Sequence, residues 1–348
     1  MSYEYFRFSI NRSNDDARNI FQQRIEDATY IYNKYSDQME SRPCPVCNST
    51  IYTECDPFHD QFKIAHCSKC TTVYVNPAPP TAALIDYYEN CLCNRQLSKV
   101  IASRHQKSDP INDDRVKLAV EAVKNTSDKR KGTGSIKILE VGCNNGAFLS
   151  KLRTALLNHC PDVKCELFGI DIDPVAIANP VDANLSLSHA SAEELSSHAP
   201  NEYDILLHFE LIEHLFDPTS FVKALWEVLK PDGVMIFTTP NFAGLDNTAL
   251  NYNNLRFLAH AIFPPMHLNA FSTSNIVHFL VSNGYHIEQI QTPGKLDMDI
   301  LTQCKDELEE QLFKDLAGLP EQTKAMIQQL LIHLNASSHM QCIARKPK

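Results

Sequence analysis

Between residues 136 and 240 the sequence alternates short apolar runs with longer amphipathic ones, and few folds tolerate that alternation. The runs at 136–141, 166–171, 184–188, 203–208 and 233–238 read as strands. Those at 147–157 and 219–229 read as helices, with a short helix after Asp171. Strands joined through helices cannot close as hairpins, so they run parallel with helices packed on both faces. Further on, 272–282 reads as a helix and 286–291 as a strand. Two helices broken at Pro320 then span 302–335, and 340–345 is a last strand. The expected fold class is α/β, a doubly wound and mostly parallel sheet.

Such a sheet takes its ligands outside the carboxyl ends of its strands, where the strand order reverses. The first strand runs Ile138-Leu139-Glu140-Val141-Gly142-Cys143-Asn144-Asn145-Gly146 straight into a helix. Glycine at 142 and 146 lets the backbone turn sharply and approach a ligand, and Asn144 tolerates positive φ better than most residues. The dinucleotide fingerprint G-x-G-x-x-G spaces its glycines differently. Here 142, 144 and 146 are one residue apart, with Cys143 between the first two. The second strand ends at Asp171, beside this turn, where an acid can accept two hydrogen bonds from a ribose diol. Turn and carboxylate are expected to face one another across a gap wide enough for a nucleoside.

Four of the 12 cysteines form two tight pairs, Cys44-Pro-Val-Cys47 and Cys67-Ser-Lys-Cys70. Two such knuckles complete a tetrahedron of thiolates around Zn2+ and leave no open position for water, so the metal is structural. Cys55, His59 and His66 are nearby but lack paired spacing. Before this segment, 14–40 reads as a helix whose stripe Phe21, Ile25, Ala28, Tyr32, Tyr35 and Met39 packs on the rest of the chain or forms a homo-oligomer contact. After it come a helical connector, a helix at 112–125 carrying Val116, Ala119, Val120 and Val123, and a polar loop at 125–135. The chain divides into an N-terminal helical segment (1–42), a zinc-ribbon-like domain (43–80), a helical connector (81–130) and the α/β domain (131–348).

Lys+Arg 32 against Asp+Glu 42 leaves a net charge of −10, which argues against nucleic acid as a partner. No apolar run approaches the ~18 residues that cross a bilayer, and the first residues lack a signal core, so a cytoplasmic location is expected.

The stretch from about 136 to 240 resembles the class I S-adenosylmethionine-dependent methyltransferases. In that resemblance Glu140 is the acidic residue before the glycine loop and Asp171, followed by Ile172, is the ribose acid. Ala190-Ser191-Ala192-Glu193-Glu194-Leu195 stands where the family lines the adenine, which brings in Ala192 and Glu193. Tyr203–His208 matches the fourth strand and Leu229-Lys230-Pro231-Asp232-Gly233 the turn into the fifth; His208 either edges the pocket or is structural. The resemblance implies a seven-stranded Rossmann-like sheet with its last strand antiparallel at the edge, and S-adenosylmethionine as cofactor. Knuckles followed by Val73-Tyr74-Val75-Asn76-Pro77-Ala78-Pro79, together with Thr292–Asp297 and Ser337–Met340, resemble bacterial methyltransferases of sugar and surface-polysaccharide pathways. That implies a small carbohydrate acceptor, methylated on oxygen or carbon.

Glu210-Leu-Ile-Glu213-His214 follows the fourth strand, with spacing i, i+3, i+4 that would put three side chains on one helix face. With His267 this resembles the Glu-x-x-Glu-His…His set of small-RNA 2′-O-methyltransferases and of ubiquinone-pathway O-methyltransferases. Glu210, Glu213, His214 and His267 would then bind Mg2+ or Mn2+. Alternatively Glu213 and His214 hold the loop over the cofactor, or His214 or His267 deprotonates an acceptor hydroxyl. His260 and His278 read as structural. Two rival functions remain: divalent-metal-dependent O-methylation of an RNA 2′-hydroxyl or a quinone-type acceptor, and a non-catalytic zinc-ribbon binding module.

Overall fold

A computed structural model describes residues 14–58, 61–91, 110–130, 134–250 and 261–348. His59, His260, the connector residues 92–109 and part of the polar loop, 131–133, lie outside the described residues.

Helix α1 (Asn14–Tyr35) gives way to a 3-10 turn, Ser36–Gln38, short of the expected end at 40. Three antiparallel strands follow, β1 (Tyr52–Phe58), β2 (Phe62–Cys67) and β3 (Val73–Val75), then α2 (Thr81–Asn90). Ala28 and Ile31 of α1 are fully buried, with Ile25, Tyr32, Tyr35 and Met39 packed around them. Their core is shared with Phe62, Ile64, Val73, Val75 and Tyr87, and also with Ala261–Ala270 from far along the chain. From Ile25 to Met39 the amphipathic stripe is thus seated within its own chain, the Phe21 side chain lying outside the described residues. Asn269–Ala270 forms β9, which joins this small sheet beside β3, pairing Val73 with Ala270 and Tyr74 with Asn269.

Helix α3 (Pro110–Lys129) runs past residue 125, so nearly half of the expected polar loop is helical. Val116, Ala119, Val120 and Val123 bury one face of it, and Arg130 ion-pairs with Asp204 just beyond its end. Tertiary anchoring at both points extends a helix that local propensity would end sooner.

The large sheet contains β4 (Ile136–Val141), β5 (Cys165–Asp171), β6 (Ser186–His189), β7 (Tyr203–Phe209), β8 (Leu229–Pro240), β10 (His286–Gln291) and β11 (His339–Arg345). Its order is β10-β11-β8-β7-β4-β5-β6, parallel from β6 to β8. The last strand is antiparallel as expected but stands one place in from the edge, between β10 and β8. Met340, Cys342 and Ala344 are fully buried, whereas β10 is largely exposed or half-buried and so takes the edge.

Side chains alternate across the sheet. Ile136, Ile138, Ile205, Leu207 and Ile236 pack under α3 and α4 (Ala147–His159). Leu139, Leu206, Met235 and Phe237 pack under α7 (Pro218–Val228) and α9 (Thr273–Ser282). Between them in sequence come α5 (Pro174–Ile177), α6 (Ala192–Ser196) and α8 (Leu245–Leu250). Three helices, not two, fill the C-terminal stretch: α10 (Asp297–Gln303), α11 (Gln311–Ala317) and α12 (Glu321–His333), with Pro320 at the start of the last. Among the described residues no helix is long and apolar enough to cross a membrane.

Candidate functional site

The turn after β4 places Gly142 (φ 76°), Asn144 (φ 50°) and Gly146 (φ 80°) all in the left-handed region. A Cβ on Gly146 would come within 2.8 Å of Leu185, so a side chain there meets both strain and a clash. Asp171 closes directly onto this turn. Its Oδ2 accepts from Asn144 N at 2.7 Å and its Oδ1 from Asp173 N at 2.9 Å. Acid and turn therefore meet at hydrogen-bond distance, and the nucleoside-wide gap expected between them is absent. A carboxylate offers about four lone-pair sites. One remains on each oxygen, as a vicinal diol requires.

Ile172, next to this acid, is 65% exposed, an apolar side chain standing in the open at a strand end. Ala192 is buried and Glu193 exposed in the first turn of α6, which Ser191 and Glu194 fix with a reciprocal capping box. Cys143 is buried against Gly169, whose added Cβ would lie 2.7 Å from its Sγ, so the thiol props the turn from below. Glu140 is buried with Oε2 unpartnered. Burial pushes its carboxyl up to about 8, with Arg115 opposing and Asp171 adding to the rise. A buried acid with a spare oxygen at a strand end is suited to a cationic or hydrogen-donating ligand group.

His208 does not edge this pocket. It lies inside β7, fully buried, stacked on Phe237 at 4.6 Å and edge-on to Phe221. Both ring nitrogens lack partners, and burial lowers its pKa to about 3.

The segment after β7 is not an α-helix. Glu210 sits at φ 51°, because its N–H still pairs with Thr238 O (2.9 Å), and only a 3-10 turn, Ile212–His214, follows. The expected single face is therefore not formed. Glu210 turns to Arg115 Nη2 (2.7 Å), Thr238 Oγ1 (2.6 Å) and His339 Nε2 (3.1 Å). Burial alone would raise its carboxyl, but His339 and Arg115 hold it below the usual range. Arg115 was not visible as a site residue in the sequence. It reaches from α3 over the ends of β7 and β8 and lies 4.7 Å above the Phe209 ring.

Glu213, His214 and His267 do come together, with candidate ligand atoms all within 4.8 Å of one another. Glu213 is 1% exposed; its Oε2 accepts from Thr239 Oγ1 (2.9 Å) and its Oε1 has no partner. Burial and Glu210 raise its carboxyl. His214 Nδ1 lies 3.0 Å from Met266 O and 2.8 Å from Tyr88 Oη, with Nε2 3.8 Å from Glu213 Oε1. Burial lowers its pKa to about 4. The His267 ring stands perpendicular to it at 4.6 Å.

The cysteines gather as two knuckles with the same backbone hydrogen-bond pattern. Asn48 N donates to Cys44 O and Thr71 N to Cys67 O; Cys44 N donates to Ser49 O and Cys67 N to Thr72 O. Asn48 (φ 55°) and Thr71 (φ 60°) both take the left-handed conformation. Sγ–Sγ distances are 3.4 Å (Cys44–Cys70) and 3.5 Å (Cys47–Cys67), close to the ~3.8 Å edge of a tetrahedron with ~2.3 Å Zn–S bonds. The donor set therefore fits a four-coordinate zinc.

Residues 94–290 match the methyltransferase domain family, more than half of the chain. The chain belongs to that family. Among curated relatives of this methyltransferase-family chain is a ubiquinone biosynthesis O-methyltransferase of Pseudomonas savastanoi pv. phaseolicola, 30% identical over 125 residues, 34% of this chain and 50% of that one. Its counterpart in Pseudomonas fluorescens strain ATCC BAA-477 is 31% identical over 123 residues, again 34% and 50%. The chain thus spans about half the length of the curated relatives it matches. A solved structure of a SAM-dependent methyltransferase from Archaeoglobus fulgidus is similar at 16% identity and a TM-score of 0.45, covering 72% of this chain and 99% of that one. The family match begins after the four cysteines, though it includes β9 of their sheet. Where that sheet meets the methyltransferase core, a cavity of about 370 Å³ is lined by His66, Thr71, Phe242, Asn247, Thr248 and Ser272 among others.

Proposed function

We propose that the chain transfers a methyl group from S-adenosylmethionine to a hydroxyl of a small, polyhydroxylated acceptor, a sugar or sugar nucleotide. The observation that carries this reading is the turn at 142–146 with Asp171 fastened to it and Glu140 buried beside it with a spare oxygen. Asp171 would hold the ribose diol, Ile172 and Ala192 the adenine, and Glu140 with Arg115 the charged ends of the amino-acid part. When bound, the cofactor supplies a methyl group already activated by a positively charged sulfur. The chain's own work is alignment and exclusion of water.

At the acceptor side, burial keeps His214 neutral, and the same burial makes it a weak base. With the unpartnered Oε1 of Glu213 and the His267 ring beside it, this supports a role in holding Mg2+ or Mn2+. The relatives named as O-methyltransferases favour oxygen over carbon as the methylated atom. The carbohydrate class rests on the resemblance of the knuckles and the Val73–Pro79 stretch to sugar-pathway methyltransferases. We also read the tetracysteine centre as structural zinc.

The test is mass spectrometry of candidate sugar nucleotides and quinol-type phenols incubated with methyl-labelled cofactor. Labelled methyl on a sugar nucleotide is the expected result. Labelling of a phenol alone would overturn the carbohydrate assignment.

A further inference from the structure

We infer that Arg42 is the positioning residue of the acceptor-side cluster, and that it links this cluster to the tetracysteine centre. The inference rests on reading Glu213, His214 and His267 as acceptor-side groups.

Arg42 lies two residues before Cys44 and is 8% exposed. Its guanidinium donates from Nη1 to Phe216 O (2.7 Å), from Nη2 to Leu268 O (2.9 Å) and Asn269 Oδ1 (2.9 Å), and from Nε to Val75 O (3.1 Å). These acceptors belong to three stretches far apart in sequence. Val75 ends β3 of the small sheet. Phe216 lies two residues after His214, and Leu268 is the residue after His267.

The same stretches are stitched together around the arginine. Leu268 N donates to Glu213 O (2.9 Å) and Val75 N to Leu268 O (2.9 Å). Fully buried Asn269 takes the Arg42 hydrogen bond on its Oδ1 and passes its Nδ2 to Leu215 O (2.7 Å). A rigid planar fork thus spans the two segments that carry the histidines and sets their separation. A lysine, with one point charge, cannot reproduce such a fork. The Tyr74 and Phe216 rings cover its faces at 5.6 and 5.5 Å.

Burial disfavours the charged form of this guanidinium, and Tyr74, Cys44 of the neighbouring centre and Asp217 oppose that effect. Four thiolates around a divalent ion sum to a charge of −2 by the charges of the parts. A buried guanidinium two residues from Cys44 offsets part of it, a partner beyond the four ligands of the kind that tunes metal sites. The small sheet is therefore part of the acceptor site's scaffold: β3 is extended by β9, and the strand that is added carries the chain directly on from His267.

The experiment uses the full-length, zinc-loaded protein and its variants Arg42→Lys and Asn269→Ala. Zinc content, calorimetric affinity for S-adenosylhomocysteine, and the 15N-imidazole NMR signals of the histidines are followed. Zinc content and affinity are expected to stay within about twofold of wild type, because neither variant removes a cysteine ligand or a residue of the Asp171 turn. The signals of His214 and His267 are expected to shift or broaden in both variants, while exposed His286 keeps its own.

Unchanged His214 and His267 signals in Arg42→Lys would overturn the inference. So would loss of zinc, affinity and signals together, since Arg42 would then serve the fold at large. Stripping the metal from wild type with a chelator gives an independent arm. The same two imidazoles should move, and their staying in place would contradict the link. If wild type binds no cofactor, the methyltransferase reading fails separately, and the imidazole readout still decides the role of Arg42.

Discussion

The Asp171 carboxylate lies 2.7 Å from the backbone nitrogen of Asn144, so the acid at the end of β5 holds the turn at the end of β4 in its left-handed shape. A β-branched residue at 144 would oppose that shape by ~1–2 kcal/mol. Asn144→Val is expected to weaken cofactor binding about tenfold, and Asn144→Gly to leave it near wild type. Calorimetric titration of both variants checks this, and equal affinities would remove the turn's backbone from the account.

Glu140 makes stability depend on pH. Its folded pKa is pushed up to about 8, against ~4.3 in an unfolded chain. Between those values the folded state binds a proton that the unfolded state does not, so stability falls as pH rises through the window. Glu140→Gln should flatten that slope by up to ~1.4 kcal/mol per pH unit. Urea unfolding of both proteins at pH 5, 6.5 and 8 measures it.

His208 acts with the opposite sign. Its folded pKa is lowered to about 3, against ~6.5 unfolded, so the unfolded chain takes up the extra proton. Stability falls as pH drops from about 6.5 toward 3. His208→Leu removes two unpartnered ring nitrogens from between Phe221 and Phe237. It is expected to raise the melting temperature, more at pH 5 than at pH 8. A lower melting temperature at pH 5 would mean that the stacking on Phe237 outweighs the buried polar atoms.

The tetracysteine centre should contribute folding energy directly. Cys47→Ser is expected to lose the bound zinc and to expose the backbone amides of β1–β3 to hydrogen exchange, with β4–β8 still protected. Uniform loss of protection would instead make the small sheet and the large one a single cooperative unit.

Much of this architecture was legible in the sequence, because its signals are local. The bounds of β10, the alternation that orders β4 to β8, and the positive-φ demands at Gly142, Asn144 and Gly146 are each written within a few residues. The paired cysteines carry their geometry in their spacing. What the sequence hid is long-range. The last strand's place inside the sheet depends on which neighbour leaves an exposed edge. Glu210 leaves the helical path because its N–H continues a ladder to Thr238, set by strand pairing rather than by the i, i+3, i+4 pattern. Arg115 meets Glu210 across 95 residues and Arg42 meets Leu268 across 226, so neither could be found from spacing.

The acceptor-side cluster makes a metal prediction. Mn2+ titrated into zinc-loaded protein should bind with a 1:1 electron paramagnetic resonance signature, and Glu213→Gln or His267→Ala should weaken it at least tenfold. Absence of Mn2+ and Mg2+ binding in wild type would leave Glu213, His214 and His267 as a proton-handling set.

Isothermal titration of S-adenosylhomocysteine into the folded wild-type chain and into Asp171→Ala is the most direct test of the cofactor site. One ligand per chain, with an affinity reduced at least tenfold by the substitution, is the expected result. A well-folded wild type that takes up no ligand, or an Asp171→Ala variant that binds as tightly, would contradict it.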